Sequence, residues 1–338
     1  MNQLSSKNDH YVQCLLCPHL CKLAEERKGI CAVRKSNGEE VELTTYGVVS
    51  GYSVDPVEKK PLYHFYPGMY ILSMGSYGCN MRCDFCQNWS ISQGIPERIP
   101  ARISPERIAS DAASAGKNIG LAFTYNEPIV WFEFMRDTAI LVKQEGLSTV
   151  MVSNGYVNSG PLEEIIGFID AFNIDLKAFS STFYKKLTGA DPEPVKNTIK
   201  QISKAGRHLE LTTLIIPGRN DSDKEMLEES LWIAGELGDE TPLHLSRYYP
   251  TYRREDPPTP QSTLDRLYDI AGRYLKYVYL GNTSSPRGQD TKCSRCGSVV
   301  TRRSGYNIRT TGLDTHGRCM KCSNLIYRNF TFSFRQGD

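Results

Sequence analysis

Between residues 69 and 280 the sequence alternates short apolar runs with longer segments of helical periodicity. Seven runs are predicted to be β-strands, at 69–74, 119–123, 149–152, 172–174, 209–216, 243–245 and 277–280. Helices are predicted between them at 129–144, 162–168, 181–187, 194–205, 224–237 and 264–274, with a further one opening at Ser104-Pro105-Glu106. Such alternation favours a parallel sheet with right-handed crossovers. The pattern alone leaves open whether the sheet curls into a barrel or stays open and doubly wound.

Eleven cysteines divide the chain into three parts, because they fall into three groups with none left over. The groups are Cys14, Cys17, Cys21 and Cys31; Cys79, Cys83 and Cys86; and Cys293, Cys296, Cys319 and Cys322. This grouping favours metal binding in a reducing compartment over disulfides. We therefore expect an N-terminal module and connector at 1–67, a core domain at 68–284 and a C-terminal module at 285–338.

Charge and hydropathy exclude few partners. The 40 basic and 38 acidic residues leave a net charge of +2, so total charge identifies no ligand. No apolar run has transmembrane length, and the first ten residues are polar rather than a secretion signal. We expect a cytoplasmic protein with no membrane partner.

The central cysteines, Cys79, Cys83 and Cys86, follow the first predicted strand with three and then two residues between them. Thiolates in so tight a loop are soft ligands suited to iron–sulfur clusters or zinc. Three thiolates on a four-iron cluster leave one iron open to an exchangeable ligand, whereas a closed zinc site needs a fourth protein ligand. The loop offers only the carboxylate of Asp84 for that purpose. A cluster is therefore favoured; a zinc knuckle or three structural thiols are the alternatives.

The Cys-x3-Cys-x2-Cys loop, with the aromatic Phe85 before its last cysteine, resembles the loop of radical S-adenosylmethionine (SAM) enzymes. The resemblance implies a [4Fe–4S] cluster whose open iron is chelated by SAM, and a SAM-binding role for Phe85. It implies reductive cleavage of SAM to methionine and a 5′-deoxyadenosyl radical, which abstracts hydrogen from a substrate. It also implies an α/β fold, a partial (β/α)6 TIM-like barrel with the cluster at its open end.

Chemistry in such barrels lies at the carboxyl ends of the strands. The second strand runs into Tyr125-Asn126-Glu127-Pro128, which resembles the family's Gly-Gly-Glu-Pro motif for the SAM amine, with Tyr125 and Asn126 in place of the glycines. A carboxylate facing the methionyl ammonium makes a charge-assisted hydrogen bond. The alternative is that Glu127 merely begins the next helix, where an acidic residue suits the helix dipole.

Later strand ends supply further candidates. The segments at Asn154 and at Asp175-Leu176-Lys177 resemble parts of glycyl-radical-enzyme activases that line the SAM pocket. Asp175 and Lys177 share one face of an extended segment, so an internal ion pair is the alternative to ligand contact. The sixth strand leads through His244 and Arg247, which are candidates for substrate contact. A histidine on an apolar strand is, however, more often a hydrogen-bonded core residue.

Both terminal modules have the composition of metal sites. The four N-terminal cysteines either close a tetrahedral zinc site, which we favour, or hold a second iron–sulfur cluster. The two C-terminal Cys-x2-Cys knuckles predict a zinc ribbon. Residues 287–335 carry ten Lys or Arg, the last of them Arg335, against Asp290 and Asp314. This excess suits nucleic acid, but it also suits the negative charge of a Zn(Cys)4 centre, which we favour.

Along the whole chain the motifs resemble one subgroup, the AmmeMemoRadiSam system radical SAM proteins. The matching stretches are Cys-x2-Cys-Pro-His-x-Cys at 14–21, the connector at 56–65, Cys-Gln-Asn at 86–88, the motif at 125–128 and the terminal ribbon. The resemblance implies Memo-like and AMMECR-like partner proteins but supplies no reaction. Only the central domain resembles pyruvate formate-lyase activating enzymes. We also expect a reductant protein such as flavodoxin or ferredoxin.

Three functions remain as hypotheses. The broadest, which we favour, is hydrogen abstraction from an unidentified substrate, with a protein or peptide as one candidate class. The second is activation of a glycyl-radical enzyme. The third is a nucleic-acid-binding or RNA-modifying protein that uses the basic ribbon, including Arg302 and Arg303.

Overall fold

The structure, a computed structural model, describes residues 4–333, so Arg335 lies outside it. The first five strands are short and form two small antiparallel sheets: β1 (Ser5–Lys7), β2 (Val12–Cys14) and β3 (Lys22–Leu23), then β4 (Arg34–Ser36) with β5 (Val41–Leu43). Strand β5 ends at Leu43. A turn follows it, in which Gly47 takes the left-handed φ of 74° that glycine tolerates best.

Eight strands form the central sheet, and its order follows the chain. They are β6 (Gly51–Pro56), β7 (Tyr70–Gly75), β8 (Asn118–Phe123), β9 (Ser148–Ser153), β10 (Ala171–Asp175), β11 (His208–Ile215), β12 (Leu243–Arg247) and β13 (Val278–Gly281). Strands β7 to β13 are parallel to one another, and β6 is antiparallel to β7. All six residues of β8 are buried, as expected for a parallel strand covered on both faces.

The predicted α/β fold is confirmed, with two additions to the six-stranded arrangement that the resemblance implies. The two edge strands, β6 and β13, do not pair with each other, so the sheet does not close into a full barrel. Strand β13 is a seventh parallel strand. Strand β6 was not predicted from the sequence, and Pro56 ends it at the sheet edge, where a missing N–H costs least.

Helices connect the parallel strands. They are α1 (Trp89–Ser92), α2 (Pro105–Ser114), α3 (Phe132–Gln144), α4 (Ser159–Ile166), α5 (Ser181–Phe183), α6 (Pro192–Lys204), α7 (Asp223–Glu236) and α8 (Gln261–Ala271). The predicted cap of α2 is present, because the Ser104 side chain accepts a hydrogen bond from the Arg107 N–H. The helix expected at 129–144 begins instead as a 3-10 turn at Pro128–Trp131. The helix expected at 181–187 changes after α5 into a π-helical turn at Tyr184–Thr188.

The C-terminal module packs beneath the sheet, near the amino ends of its strands. Its strands are β14 (Thr291–Lys292), β15 (Val299–Ser304) and β16 (Asn307–Arg309). The hydroxyl groups of Thr291 and Tyr279 lie 2.7 Å apart, and the Tyr66 N–H donates to the Asn329 carbonyl at 2.8 Å. The module thus contacts both β13 and the connector. Within residues 4–333, no helix has the length and apolar composition needed to cross a membrane.

Glu229, on α7, is a buried carboxyl group that makes stability depend on pH. The Thr213 hydroxyl donates to it at 2.5 Å, and burial raises its pKa from 4.5 to about 8. Because its pKa is raised, Glu229 holds its proton more tightly in the folded state than in the unfolded chain. The stability that the protonated carboxyl contributes is complete below pH 4.5 and is lost as pH rises through 8. We expect the unfolding free energy of Glu229→Gln to exceed that of the wild type by about 3 kcal/mol more at pH 9 than at pH 5. Melting temperatures measured across that range test this; parallel pH profiles would contradict it.

Candidate active site

A cavity of about 400 Å³ opens at the carboxyl ends of the parallel strands. This is the size of a site for a small molecule or cofactor. Cys79, Cys83 and Cys86 line it, and so do all the residues predicted to contact SAM: Phe85, Tyr125, Asn126, Glu127, Asn154, Asp175 and Lys177. Residues from the cysteine loop and from the ends of β8, β9 and β10 are therefore brought together.

Backbone contacts hold the cysteine loop against the turn that follows α5. The Arg82 N–H donates to the Thr188 carbonyl at 2.7 Å, and the Asp84 N–H donates to the Leu187 carbonyl at 3.2 Å. Burial raises the pKa of the Cys79 thiol well above its usual range and that of Cys83 to about 12. Thiolates in such a dry site need a cationic partner, and a bound metal would supply one.

The carboxylate of Asp84 is engaged elsewhere. Arg254 binds both of its oxygens, with Nη2–Oδ2 at 2.7 Å and Nε–Oδ1 at 3.1 Å. A two-pronged pair of this kind fixes the direction of the carboxylate. The loop therefore presents three thiolates and no free carboxylate, which is the donor set expected for a cluster with one open iron.

Glu127 combines the two roles that the sequence left open. Its Oε1 accepts a hydrogen bond from the Ile129 N–H at 3.0 Å, which begins the 3-10 turn, and one from the Ser153 hydroxyl at 2.8 Å. Its Oε2 accepts from the Asn154 N–H at 2.8 Å. Burial raises the pKa of Glu127 to about 7 although these hydrogen bonds oppose the shift. The carboxylate caps the turn and also faces the cavity.

Tyr125 and Asn126 show how the chain manages without the two glycines. Tyr125 has φ 73°, a left-handed conformation that costs a residue with a side chain about 1 kcal/mol. Its hydroxyl donates to Asp55 Oδ2 at 2.6 Å, which anchors the ring. The Asn126 side chain accepts from the Ser76 N–H and donates to the Gly78 carbonyl, at 2.9 Å each. The replacements thus tie the motif to β6 and to the cysteine loop.

Asp175 and Lys177 form the ion pair that was the alternative to ligand contact, and both also line the cavity. Lys177 Nζ lies 2.9 Å from Asp175 Oδ2. Burial alone would lower the pKa of Lys177, but the charges of Asp175 and Cys83 and the hydrogen bond to Asp175 together outweigh it, and the pKa is raised. Asn154 Nδ2 lies 3.7 Å from Cys79 Sγ and donates to Asn80 Oδ1 at 2.8 Å.

Neither His244 nor Arg247 lines the cavity, which corrects the expectation that they contact substrate. His244 Nε2 lies 2.7 Å from Glu210 Oε2, and the side chain is buried. His244 is two residues before Ser246, which does line the cavity, so it lies one layer below the floor. The guanidinium of Arg247 turns away and lies over the Tyr249 ring at 5.1 Å.

The sequence did not point to Asp55, Lys59 and Lys60, which also line the cavity. Asp55 Oδ1 binds Lys59 and Oδ2 binds Lys60, both at 2.9 Å. Burial would raise the pKa of Asp55, but hydrogen bonds from Tyr125 and the two lysines lower it. The signal available in the sequence was an acidic residue followed by two lysines in an apolar, aromatic connector.

The C-terminal cysteines converge on one point. Cys293 and Cys322 sulfurs lie 3.4 Å apart, those of Cys296 and Cys319 lie 3.7 Å apart, and all four fit within 4.8 Å. Tetrahedral zinc with Zn–S bonds of about 2.3 Å separates its sulfurs by about 3.8 Å, so the set fits a single ion of that kind.

One of the two arginines assigned to phosphate contact is buried. Arg303 is buried, and its guanidinium lies 4.3 Å from the Tyr63 ring centre. Arg302 is exposed and lies 3.8 Å from Asp290. The nucleic-acid hypothesis is therefore wrong in using Arg303 for phosphate contact.

A sequence profile of the Radical SAM superfamily matches residues 74–230. An uncharacterised protein of Methanocaldococcus jannaschii is 40% identical over 323 residues, which are 94% of this chain and 96% of that protein. The pyruvate formate-lyase-activating enzyme of Clostridium pasteurianum is 25% identical over 155 residues, 44% of this chain and 63% of that enzyme.

The chain belongs to the radical SAM superfamily. The superfamily predicted from the cysteine loop is confirmed, and this radical SAM protein is an enzyme. Its fold is similar to that of Streptococcus suis SuiB bound to S-adenosylmethionine, with a TM-score of 0.51, 15% identity, and coverage of 67% of this chain and 53% of SuiB. A radical SAM methyltransferase from Sphaerobacter thermophilus also has a TM-score of 0.51, with 16% identity and coverage of 64% and 67%. At these identities the likeness concerns the fold alone.

Proposed function

We propose that this enzyme cleaves SAM reductively at a [4Fe–4S] cluster held by Cys79, Cys83 and Cys86, and that it abstracts hydrogen from a substrate of the protein or peptide class. One observation carries the proposal: the three thiolates line the same cavity as a buried carboxylate and the Asp175–Lys177 pair, while Asp84 is occupied by Arg254. The donor set fits a cluster that lacks one protein ligand. When bound and reduced, such a cluster supplies the electron that splits the sulfonium of SAM.

The chain's own residues position the ligand. Glu127 would accept a hydrogen bond from the methionyl ammonium, because its carboxylate is fixed by three donors and still faces the cavity. The Asp175–Lys177 pair presents both charges to the cavity and would bind the ribose hydroxyls or the SAM carboxylate. Phe85 and Met81 add apolar wall beside the thiolates, which keeps water from the reacting sulfonium.

The direct test uses full-length protein, reconstituted with iron and sulfide under anaerobic conditions and reduced with dithionite. We expect formation of 5′-deoxyadenosine and methionine from SAM, measured by liquid chromatography and mass spectrometry. An intact, reducible central cluster that leaves SAM unchanged would refute the proposal. Peptides bearing deuterium at candidate positions would then identify the substrate class, because the label should appear in 5′-deoxyadenosine.

Replacement of Glu127 by glutamine is expected to weaken SAM binding by roughly 10- to 100-fold, since the charge-assisted hydrogen bond to the ammonium is lost. The pKa of about 7 adds a pH signature. As the pH rises through 7, a larger fraction of Glu127 becomes ionised. The SAM affinity of the wild type should therefore increase from pH 6 to pH 8, while that of the variant should not. Isothermal titration under anaerobic conditions measures both. Glu229→Gln, a buried carboxyl outside the cavity, is the matched control and should bind SAM like the wild type.

Activation of a glycyl-radical enzyme is the second candidate. The relatives named as activating enzymes for pyruvate formate-lyase, benzylsuccinate synthase and (2S)-3-sulfopropanediol dehydratase favour it, although they match only 35–44% of this chain at 22–25% identity. Electron paramagnetic resonance of a target protein incubated with reduced enzyme and SAM should then show a glycyl doublet. Absence of the doublet with SAM cleavage intact would remove this candidate.

The proposal also includes a second metal ion, an electron donor and two partner proteins. We propose zinc as the ion of the C-terminal cysteines, because their sulfur separations match a tetrahedral site. A flavodoxin or ferredoxin is proposed as electron donor, and Memo-like and AMMECR-like proteins remain the proposed partners from the subgroup resemblance. Zinc analysis of protein purified without added metal, and co-purification from cells expressing all three proteins, are the corresponding measurements.

A further inference from the structure

The N-terminal cysteines are close together but do not converge as the C-terminal ones do. Cys14 ends β2, and its N–H donates to the Cys21 carbonyl at 2.9 Å, which folds the loop that carries Cys17 and Cys21. Cys31 follows on a second loop, in which the Gly29 N–H donates to the Arg34 carbonyl at 2.8 Å. A side chain at Gly29 would begin only 3.6 Å from the Cys21 sulfur, so the two loops face each other.

The spacing of these sulfurs argues against one zinc ion. Among residues 4–333, the C-terminal set is the only group of three or more candidate ligand atoms that all lie within 4.8 Å of one another. A single tetrahedral zinc would need sulfurs about 3.8 Å apart. A polynuclear cluster accepts thiolates that are farther apart than those of a single zinc ion, because each thiolate binds a different iron.

A buried positive charge accompanies the site. Arg34 is 1% exposed; its guanidinium binds Glu133 through Nη1 and Nη2, and its buried Nε has no hydrogen-bond partner. Both Cys14 and Cys31 lie close enough to Arg34 to interact with its charge. A buried guanidinium with an unused N–H near two of the four thiols is expected where an anionic metal centre needs compensation.

This second site adjoins the central cysteine loop. His19 lies between Cys17 and Cys21, and its Nε2 lies 2.7 Å from the carbonyl oxygen of Asn80, the residue after Cys79. A side chain at Gly78, the residue before Cys79, would begin only 2.5 Å from the Cys31 carbonyl oxygen. Both N-terminal ligand loops therefore touch the backbone on either side of Cys79.

We propose that Cys14, Cys17, Cys21 and Cys31 bind a second [4Fe–4S] cluster, which relays single electrons from a flavodoxin- or ferredoxin-class donor to the cluster at Cys79, Cys83 and Cys86. One electron reduces the N-terminal cluster from the 2+ to the 1+ state. Its transfer reduces the central cluster by the same amount and returns the N-terminal cluster to 2+, with no bond made and no proton moved. The relay rests on the function proposed above, whereas the cluster itself does not.

Metal analysis tests the cluster. In anaerobically reconstituted protein we expect about eight irons and one zinc per chain, and in the Cys79→Ala/Cys83→Ala/Cys86→Ala variant about four irons and one zinc. The reduced variant should give a [4Fe–4S] paramagnetic resonance signal that SAM does not change, because four thiolates leave no open iron. Four irons and two zincs in the wild type would overturn the assignment, and this measurement does not depend on the variant folding.

A single-turnover count tests the relay in the unaltered protein. The enzyme is photoreduced, freed of reductant and mixed with SAM. About two molecules of 5′-deoxyadenosine per chain are expected if both clusters deliver their electrons to the central site, and about one if only the central cluster reacts. A count near one with both clusters reduced at the start would overturn the relay. A count of zero with two intact clusters would refute the proposed SAM cleavage while leaving the second cluster established.

Discussion

Replacement of Cys83 by alanine should remove about four irons per chain and abolish SAM cleavage. Cys83 is 6% exposed and lies in the middle of the central loop, so water cannot readily substitute for its thiolate. Groups that act as one unit lose their function together, and we expect 5′-deoxyadenosine formation to fall by at least about a thousandfold, to background. Iron and sulfide content, together with the yield of 5′-deoxyadenosine, measure the two effects on the same sample.

Asp84→Asn provides the matched control in the same loop. The amide keeps the shape of the carboxylate but weakens the pair with Arg254. Because Asp84 faces Arg254 rather than the thiolates, this variant should keep its iron and cleave SAM at nearly the wild-type rate. The opposite pattern, with cluster loss in Asp84→Asn and retention in Cys83→Ala, would show that the ligand set is different and that the open iron does not exist.

Much of the site was predictable because its chemistry is encoded locally. The three central cysteines are close in sequence, and the motifs at Glu127, Asn154 and Asp175 each follow a predicted strand. The family resemblance, together with the rule that chemistry lies at the carboxyl ends of parallel strands, assigned them to one cavity. The register of the sixth strand was not encoded in that way. His244 and Ser246 point to the same side, and only the depth of the strand in the sheet decides which of them reaches the cavity.

Strand β6 was missed in the sequence for a different reason. Residues 51–56 pair with β7 through backbone hydrogen bonds, and four of the six are exposed, so they lack the apolar run that marked the other strands. Their pairing brings Asp55 beside Tyr125, which then holds a left-handed backbone that glycine would adopt more easily. The contact between Asp55 and Tyr125, which are 70 residues apart, thus stabilises a backbone conformation that Tyr125 alone would not favour. No local sequence pattern indicates such a contact.

The connector links the sheet to the C-terminal module through the backbone of one residue, Tyr63. The Tyr63 N–H donates to Glu210 on β11 at 3.0 Å, and the Tyr63 carbonyl accepts from Arg303 Nη2 at 2.9 Å. Arg303 Nη1 also donates to the Thr291 hydroxyl at 2.7 Å and to the Gln289 carbonyl at 3.1 Å. The buried guanidinium is thus the point at which the sheet, the connector and the C-terminal module are joined.

Arg303→Met should therefore destabilise the protein by about 3–5 kcal/mol, the usual cost of removing one partner from a buried charged network. Methionine fills most of the space, but the four acceptors of Arg303, the carbonyls of Tyr63 and Gln289 and the hydroxyls of Thr291 and Tyr327, lose its N–H groups. We expect a lower melting temperature, faster proteolysis between the core and the C-terminal module, and faster loss of zinc to a chelator. Arg302→Met, a neighbouring arginine that is 68% exposed and has one contact at 3.8 Å, should change the unfolding free energy by less than about 0.5 kcal/mol. Equal effects of the two replacements would mean that the network around Tyr63 does not hold the module in place.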